Sequence, residues 1–85
     1  MSEQLVRLKP AVEKIKEAGG FTSEYAVREA QANRATRRKL LEEGALIPGT
    51  GPLPNLYRPM RLKKAMDDLA AKRAADELAR MEAAA

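Results

Sequence analysis

The sequence predicts a mainly α-helical domain with a small β-hairpin and a long C-terminal helix. Its 85 residues are the length of one small domain. Apolar residues recur at helical spacing in segments that Gly19-Gly20 and Gly44 separate. The stretch PGTGPLP at 48–54 lies between two short apolar runs, as in a hairpin. From Met60 to Ala85 there is no Gly or Pro, so this segment can form one long helix.

The first predicted helix covers residues 10–18. Pro10 suits the first turn of a helix, where its missing N–H costs nothing. Val12 and Ile15 follow at helical spacing, and Gly19-Gly20 ends the helix. Residues 1–9 are expected to form a short helical turn or an arm in front of this helix.

Residues 24–43 form a second helical segment, which we expect to be broken into two helices. Thr22 or Ser23 can cap its start. No Gly or Pro interrupts it, so helix propensity alone also allows one continuous helix. Asn33 is a capping residue in the middle of the segment, which favours a break at 31–33. Phe21 and Tyr25, near the start of the segment, are expected in the core.

The hairpin is expected to pair residues 45–48 with residues 55–58. Gly44 is suited to end the preceding helix, and an apolar run follows it directly. The Gly/Pro-rich stretch supplies the loop, and Tyr57 is expected to pack within the second strand. Pro59 ends that strand and can begin the final helix.

The final helix, predicted at 60–85, carries an apolar stripe that we interpret as a homodimer interface. A core of this size is near the lower limit for independent stability, and the stripe needs a cover. The alternative is that the helix folds back onto the first helix, or projects into solvent beyond about residue 72, where the stripe thins to Ala. The candidate dimer residues are Leu62, Met66, Leu69, Leu78 and Met81.

The composition argues against an enzyme. The chain has no Cys and no His, which removes thiolate and imidazole catalysis and the usual zinc sites. A metal, cofactor or small-molecule site would need a preformed pocket, and three aromatic residues with no Trp offer little to line one. We therefore expect no metal, no cofactor and no small-molecule ligand. No apolar run is long enough for a membrane span, and there is no signal-peptide core, which favours a cytoplasmic location. The net charge of +4 suits an acidic partner such as nucleic acid.

The predicted order of elements is that of a winged helix-turn-helix domain at residues 10–59. Within it, QANRATRRKLL at 31–41 resembles the turn and recognition helix of bacterial GntR-type regulators, and EEGALI followed by NLYRP resembles the passage from that helix into the wing. The resemblance covers residues 11–58, and its specific part is 31–58. It implies that Asn33, Arg34, Thr36 and Arg38 face DNA. Arg37 stands where many members have an apolar residue, so the resemblance leaves open whether Arg37 faces DNA or the core.

Two basic clusters support the same interpretation. Four of the six residues at 34–39 are Arg or Lys, and a guanidinium matches guanine O6 and N7 and also binds phosphate. A second cluster follows the predicted wing, where cations would contact the DNA backbone. A solvated basic helix without a partner is the alternative. The candidate DNA-binding residues are Asn33, Arg34, Thr36, Arg37, Arg38, Lys39, Arg58, Arg61, Lys63 and Lys64.

We therefore expect a small sequence-specific double-stranded DNA-binding protein, such as a transcriptional regulator or a phage or plasmid accessory factor. Its recognition helix is expected at about 33–43 and its wing at about 45–58. The alternative is a non-enzymatic protein-interaction module, an inhibitor or an assembly adaptor, that uses the same helices.

Overall fold

The computed structural model describes residues 3–84 of the chain. Its elements in chain order are α1 (Leu8–Glu17), α2 (Glu24–Ala32), α3 (Arg34–Glu42), β1 (Leu46–Ile47), β2 (Leu56–Tyr57) and α4 (Pro59–Ala84). The prediction of a mainly helical fold with one hairpin and a long C-terminal helix is confirmed. Residues 1 and 2 of the predicted arm and residue 85 of the predicted helix lie outside the described range. Within that range, no helix is long and apolar enough to cross a membrane.

The N-terminal arm is held against the rest of the domain at two points. Val6 and Tyr57 exchange two backbone hydrogen bonds, with N–O distances of 2.9 and 2.7 Å. The Glu3 carboxylate accepts hydrogen bonds from the N–H groups of Met60, at 2.7 Å, and Arg61, at 3.3 Å. These N–H groups lie in the first turn of α4, where no intrahelical acceptor exists, so Glu3 caps the longest helix from a distant part of the chain.

Helix α1 begins two residues before the predicted start, at Leu8. Arg7 has extended backbone and precedes the first turn, and Pro10 lies within that turn, where its missing N–H leaves no hydrogen bond unmade.

The predicted break between α2 and α3 is confirmed, and it lies at Asn33. Asn33 has extended backbone, with φ −92° and ψ 128°, and is the boundary residue of both helices. Its Oδ1 accepts hydrogen bonds from the N–H of Ala35, at 2.9 Å, and of Thr36, at 3.3 Å. The Thr36 hydroxyl also donates to the Ala30 carbonyl oxygen across the break. Two helices form because these side chains satisfy the backbone groups that a continuous helix would pair.

The hairpin pairs Leu46 with Tyr57 and Ile47 with Leu56 in antiparallel register, within the predicted ranges. Its loop is closed by the Asn55 side chain, whose Oδ1 accepts the Gly49 N–H at 2.8 Å. A Cβ at Gly49 would lie 2.0 Å from the Leu53 carbonyl oxygen, so the loop can close this tightly only with glycine there.

The core is one cluster at the junction of α1, α2, α3, the hairpin and the start of α4. Tyr57 is buried in it, as expected. The expectation for Phe21 and Tyr25 is wrong: their relative exposure is 98% and 72%. The interior is filled by aliphatic side chains and Tyr57 instead. The buried apolar residues are Ala11, Val12, Ile15, Val27, Leu40, Ala45, Leu46, Tyr57, Leu62 and Ala65.

Helix α4 divides into a packed half and an exposed half. Leu62 and Ala65 are fully buried, and Met66 packs against the core. Beyond Leu69, every described residue of the helix is exposed. The first half therefore folds back onto the domain, and the helix projects from it beyond Lys72, which still lies beside α3.

Candidate nucleic-acid interface

Helix α3 presents its arginines to solvent because of how its opposite side is anchored. Leu40 is fully buried in the core, and Thr36 on the same side is tied to α2. Residues about half a turn away around the helix, such as Arg34 and Arg38, therefore point outward. Arg34, Arg37 and Arg38 are all exposed, so the position of Arg37, which the resemblance left open, is on the solvent side.

The exposed arginines differ in their pairing. Arg38 Nε lies 3.0 Å from Glu42 Oε1, in an i,i+4 pair that is itself largely exposed. Such a pair contributes only about 0.3–0.5 kcal/mol, so a stronger anionic partner could displace it. Among residues 3–84, Arg34 and Arg37 have no carboxylate within ion-pair distance. These two guanidinium groups are available to an anion without breaking an existing contact.

Asn33 and Thr36 use their side chains inside the protein. The Asn33 amide oxygen caps α3, and the Thr36 hydroxyl is hydrogen-bonded to backbone carbonyl oxygens of Ala30 and Asn33. Both residues shape the turn before α3. Only the polar atoms that make none of these hydrogen bonds, such as the Asn33 amide nitrogen, are left to contact a DNA base.

Lys39 does not lie with the exposed arginines. Its Nζ is 3.1 Å from Glu43 Oε1 and 3.7 Å from Asp68 Oδ2, so it joins α3 to α4. The hydrogen bond to Glu43 raises the pKa of Lys39 above its ordinary value, and the Asp68 carboxylate adds to this effect. Lys39 is therefore charged at neutral pH but paired on the α4 side of α3.

Arg58 and Arg61 lie at the C-terminal end of α3 rather than along the hairpin. Arg58 Nη1 donates to the Gly44 carbonyl oxygen at 2.8 Å, and Arg61 Nη1 approaches the Glu43 carbonyl oxygen at 3.5 Å. Cations at this end donate hydrogen bonds to free carbonyl groups and interact favourably with the negative end of the helix dipole. Arg58 is half-buried and serves this contact; Arg61 is exposed and retains further donors.

Lys63 and Lys64 point to different surroundings. Lys63 Nζ lies 3.1 Å from Asp67 Oδ2, on the side of α4 that faces the loop between α1 and α2. Lys64 is exposed and lies beside Glu43 and Arg61. Of the second predicted cluster, Arg58, Arg61 and Lys64 lie together near the C-terminal end of α3. Lys63 lies apart from them, because consecutive residues of a helix point in different directions.

Two features beside α3 were not predicted from the sequence. Lys72 lines a groove with Ala35 and Thr36, next to the first turn of α3. Asn55 Nδ2 donates to Gln31 Oε1 at 3.1 Å, which ties the hairpin loop to the end of α2. No sequence pattern indicates either contact, because each joins segments that are distant in the chain.

The five candidate dimer residues do not form one face. At about 100° per residue, Met66 and Leu69 lie within about 40° of Leu62, whereas Leu78 and Met81 lie about 160° and about 100° away from it. Leu62 is fully buried and Met66 packs against the core, so the domain itself covers this part of the stripe. Leu78 and Met81 are 56% and 65% exposed. The single stripe predicted from the sequence is therefore wrong.

Comparison with protein-family models, with curated proteins and with solved structures found no match for this chain.

Proposed function

We propose that this protein binds double-stranded DNA as a small winged helix-turn-helix protein, with α3 in the major groove. The observation that carries this proposal is the exposure of Arg34, Arg37 and Arg38 on the outer side of a short helix whose inner side is anchored by Leu40. An α-helix fits the major groove, and arginine there can bind guanine O6 and N7 or phosphate. The positive net charge favours approach to DNA.

The remaining elements support a winged arrangement. Helices α2 and α3 are joined by a one-residue turn at Asn33, and a hairpin follows α3. The Asn55–Gln31 hydrogen bond fixes the hairpin loop relative to α2, and so relative to the start of α3. Residues 48–55 contain no charged side chain. We therefore expect the wing to contact the DNA backbone through main-chain N–H groups and Thr50, and the cations to come from the helices.

The biological role that fits such a protein is transcriptional regulation, or an accessory function on phage or plasmid DNA. This role places it in the cytoplasm and requires no catalysis. A homodimer would present two α3 helices to one duplex and so strengthen binding. The second candidate function is a protein-interaction module, which the exposed apolar residues Phe21, Leu78 and Met81 favour.

Fluorescence anisotropy with a labelled random duplex, repeated over a salt series, tests DNA binding. We expect a Kd in the low micromolar range or below at low salt, and a log K that falls with log salt by about 0.9 for each neutralised phosphate. The double variant Arg34→Ala/Arg37→Ala removes two unpaired arginines. If both contact phosphate, the magnitude of the slope should fall by about 1.8.

Arg80→Ala is the matched control, because it removes one arginine from the exposed end of α4, away from α3. Its slope should change by less than half as much as that of the double variant. An equal loss would indicate unspecific attraction and contradict a role of α3. No binding at low salt would contradict DNA binding altogether and favour the interaction module. Selection from a pool of random duplexes then tests sequence specificity.

A further inference from the structure

The packed half of α4 runs antiparallel to α3. At the C-terminal end of α3, Arg61 Nη1 approaches the Glu43 carbonyl oxygen at 3.5 Å. Further along α4, Asp68 Oδ2 lies 3.7 Å from Nζ of Lys39, which is one turn earlier in α3. Lys72 then lies beside the first turn of α3. The first half of α4 therefore flanks α3 from its last turn to its first.

Three exposed cations of α4 lie on the side of the helix that faces α3. Arg61, Lys64 and Lys72 lie about 260°, 200° and 280° from Leu62 around the helix axis, and Asp68, which contacts α3, lies at about 240°. Among residues 3–84, none of the three cations has a carboxylate within ion-pair distance. These three residues are here called the α4 row.

The positive charge of this half of α4 is concentrated in the α4 row. On another side of the helix, Lys63 Nζ lies 3.1 Å from Asp67 Oδ2, so the two charges offset each other. Asp68 is the acidic residue within the row, and its charge is offset by Lys39. The row therefore presents a surplus of cations along the edge of α3.

The dimensions of DNA place such a row beside a phosphate backbone. An α-helix with its side chains is about 10–12 Å in diameter, and the major groove is about 12 Å wide, so α3 would fill the groove. Packed helices have axes about 8–10 Å apart, so α4 would lie over one edge of that groove. The row spans about 17 Å, and phosphates of one strand recur every 3.4 Å or so along the duplex axis. It can therefore reach several phosphates of one strand.

We propose that the α4 row binds the phosphate backbone at one edge of the groove that α3 occupies. This inference rests on the proposed function and makes α4 a second DNA-contacting helix, with Lys72 as its contact beside the first turn of α3. Arg34 and Arg37 lie about 140° and 160° from Lys39 around α3, and Lys39 marks the side of α3 that faces α4. The row therefore supplies cations on the side of α3 from which these two arginines point away.

The salt dependence of duplex binding, measured by fluorescence anisotropy, tests the contact of Lys72. Lys72→Gln and Arg73→Gln are a matched pair, because each removes one positive charge from an exposed residue of α4 and the two side chains point about 100° apart. Lys72→Gln should reduce the magnitude of the slope of log K against log salt by about 0.9. Arg73→Gln should reduce it by less than half as much. Equal reductions, or no reduction for Lys72→Gln, would overturn the proposal.

Removing a negative charge tests the same surface in the opposite direction. Asp68→Asn and Asp67→Asn each remove one carboxylate and one ion pair, to Lys39 and Lys63 respectively. Asp68→Asn should tighten duplex binding at low salt by about threefold or more, because its carboxylate lies within the α4 row and would repel the phosphates. Asp67→Asn should change the Kd by less than about twofold, since it points to another side of α4. Equal tightening by both variants would show a response to net charge alone and contradict the row.

The failure of this inference can be told apart from failure of the proposed function. A parent protein that binds no duplex at low salt contradicts both. A parent that binds duplex and loses slope in Arg34→Ala/Arg37→Ala, but not in Lys72→Gln, retains the proposed function and refutes the α4 row. Because phosphates carry no sequence information, Lys72→Gln should also weaken binding to random and selected duplexes by the same factor. A loss confined to the selected duplex would indicate a base contact and refute the assignment to the backbone.

Discussion

Leu40 and Leu41 are adjacent residues of α3 with the same side chain and different surroundings. Leu40 is fully buried in the core, whereas Leu41 is half-buried at its edge. The sequence does not distinguish them, because both belong to the apolar positions that mark the inner side of this helix. Truncating each residue to Ala therefore measures which one anchors α3 and, with it, the orientation of the exposed arginines.

The expected cost of Leu40→Ala is about 2–5 kcal/mol, because a fully buried Leu loses both its transfer free energy and its packing partners. Leu41→Ala should cost about 1–2 kcal/mol, since a half-buried side chain loses about half of the transfer term and leaves little cavity. A domain of this length has a total stability of about 4–13 kcal/mol, so Leu40→Ala removes a large share. Helix propensity changes equally in both variants and cancels in their difference.

Urea denaturation followed by circular dichroism measures both values, and thermal denaturation provides a second reading. A difference of about 1–3 kcal/mol corresponds to a separation in Tm of at least about 4 °C for a domain of this size. Leu41→Ala should also retain DNA binding under conditions in which the variant is folded. Equal costs, or a larger cost for Leu41→Ala, would refute the assignment of Leu40 as the anchor and with it the outward placement of Arg34 and Arg38.

Two further predictions concern helix caps. Asn33→Ala should destabilise the domain by about 1 kcal/mol in urea denaturation, because the N–H groups of Ala35 and Thr36 lose their acceptor, whereas Asn33→Asp, which retains an acceptor oxygen, should cost much less. Equal destabilisation by the two variants would show that the Asn33 side chain does not stabilise the domain by capping α3. Glu3→Ala should speed hydrogen exchange of the Met60 and Arg61 amides, as measured by NMR. Gln4→Ala is the control, and an equal effect there would argue against the cap.

The boundaries of the elements were determined largely by the sequence, because they depend on residues that act on their own backbone. Asn33 separates α2 from α3 through hydrogen bonds to N–H groups two and three residues ahead. The Gly/Pro-rich loop and Pro59 act in the same local way, and the hairpin lies within its predicted range. The different faces of Leu62 and Leu78 could also have been predicted, because they follow from helical periodicity alone.

The site depends on how the helices pack, which the sequence does not specify. The sequence identified the arginines of α3, and their exposure follows from the burial of Leu40. It did not indicate that Lys39 pairs with Asp68 on α4, or that Arg58 donates to Gly44 at the end of α3. The sequence also predicted Phe21 in the core, which aliphatic residues and Tyr57 fill instead. Each of these outcomes depends on the approach of segments far apart in the chain, and only the tertiary structure decides which side chains meet there.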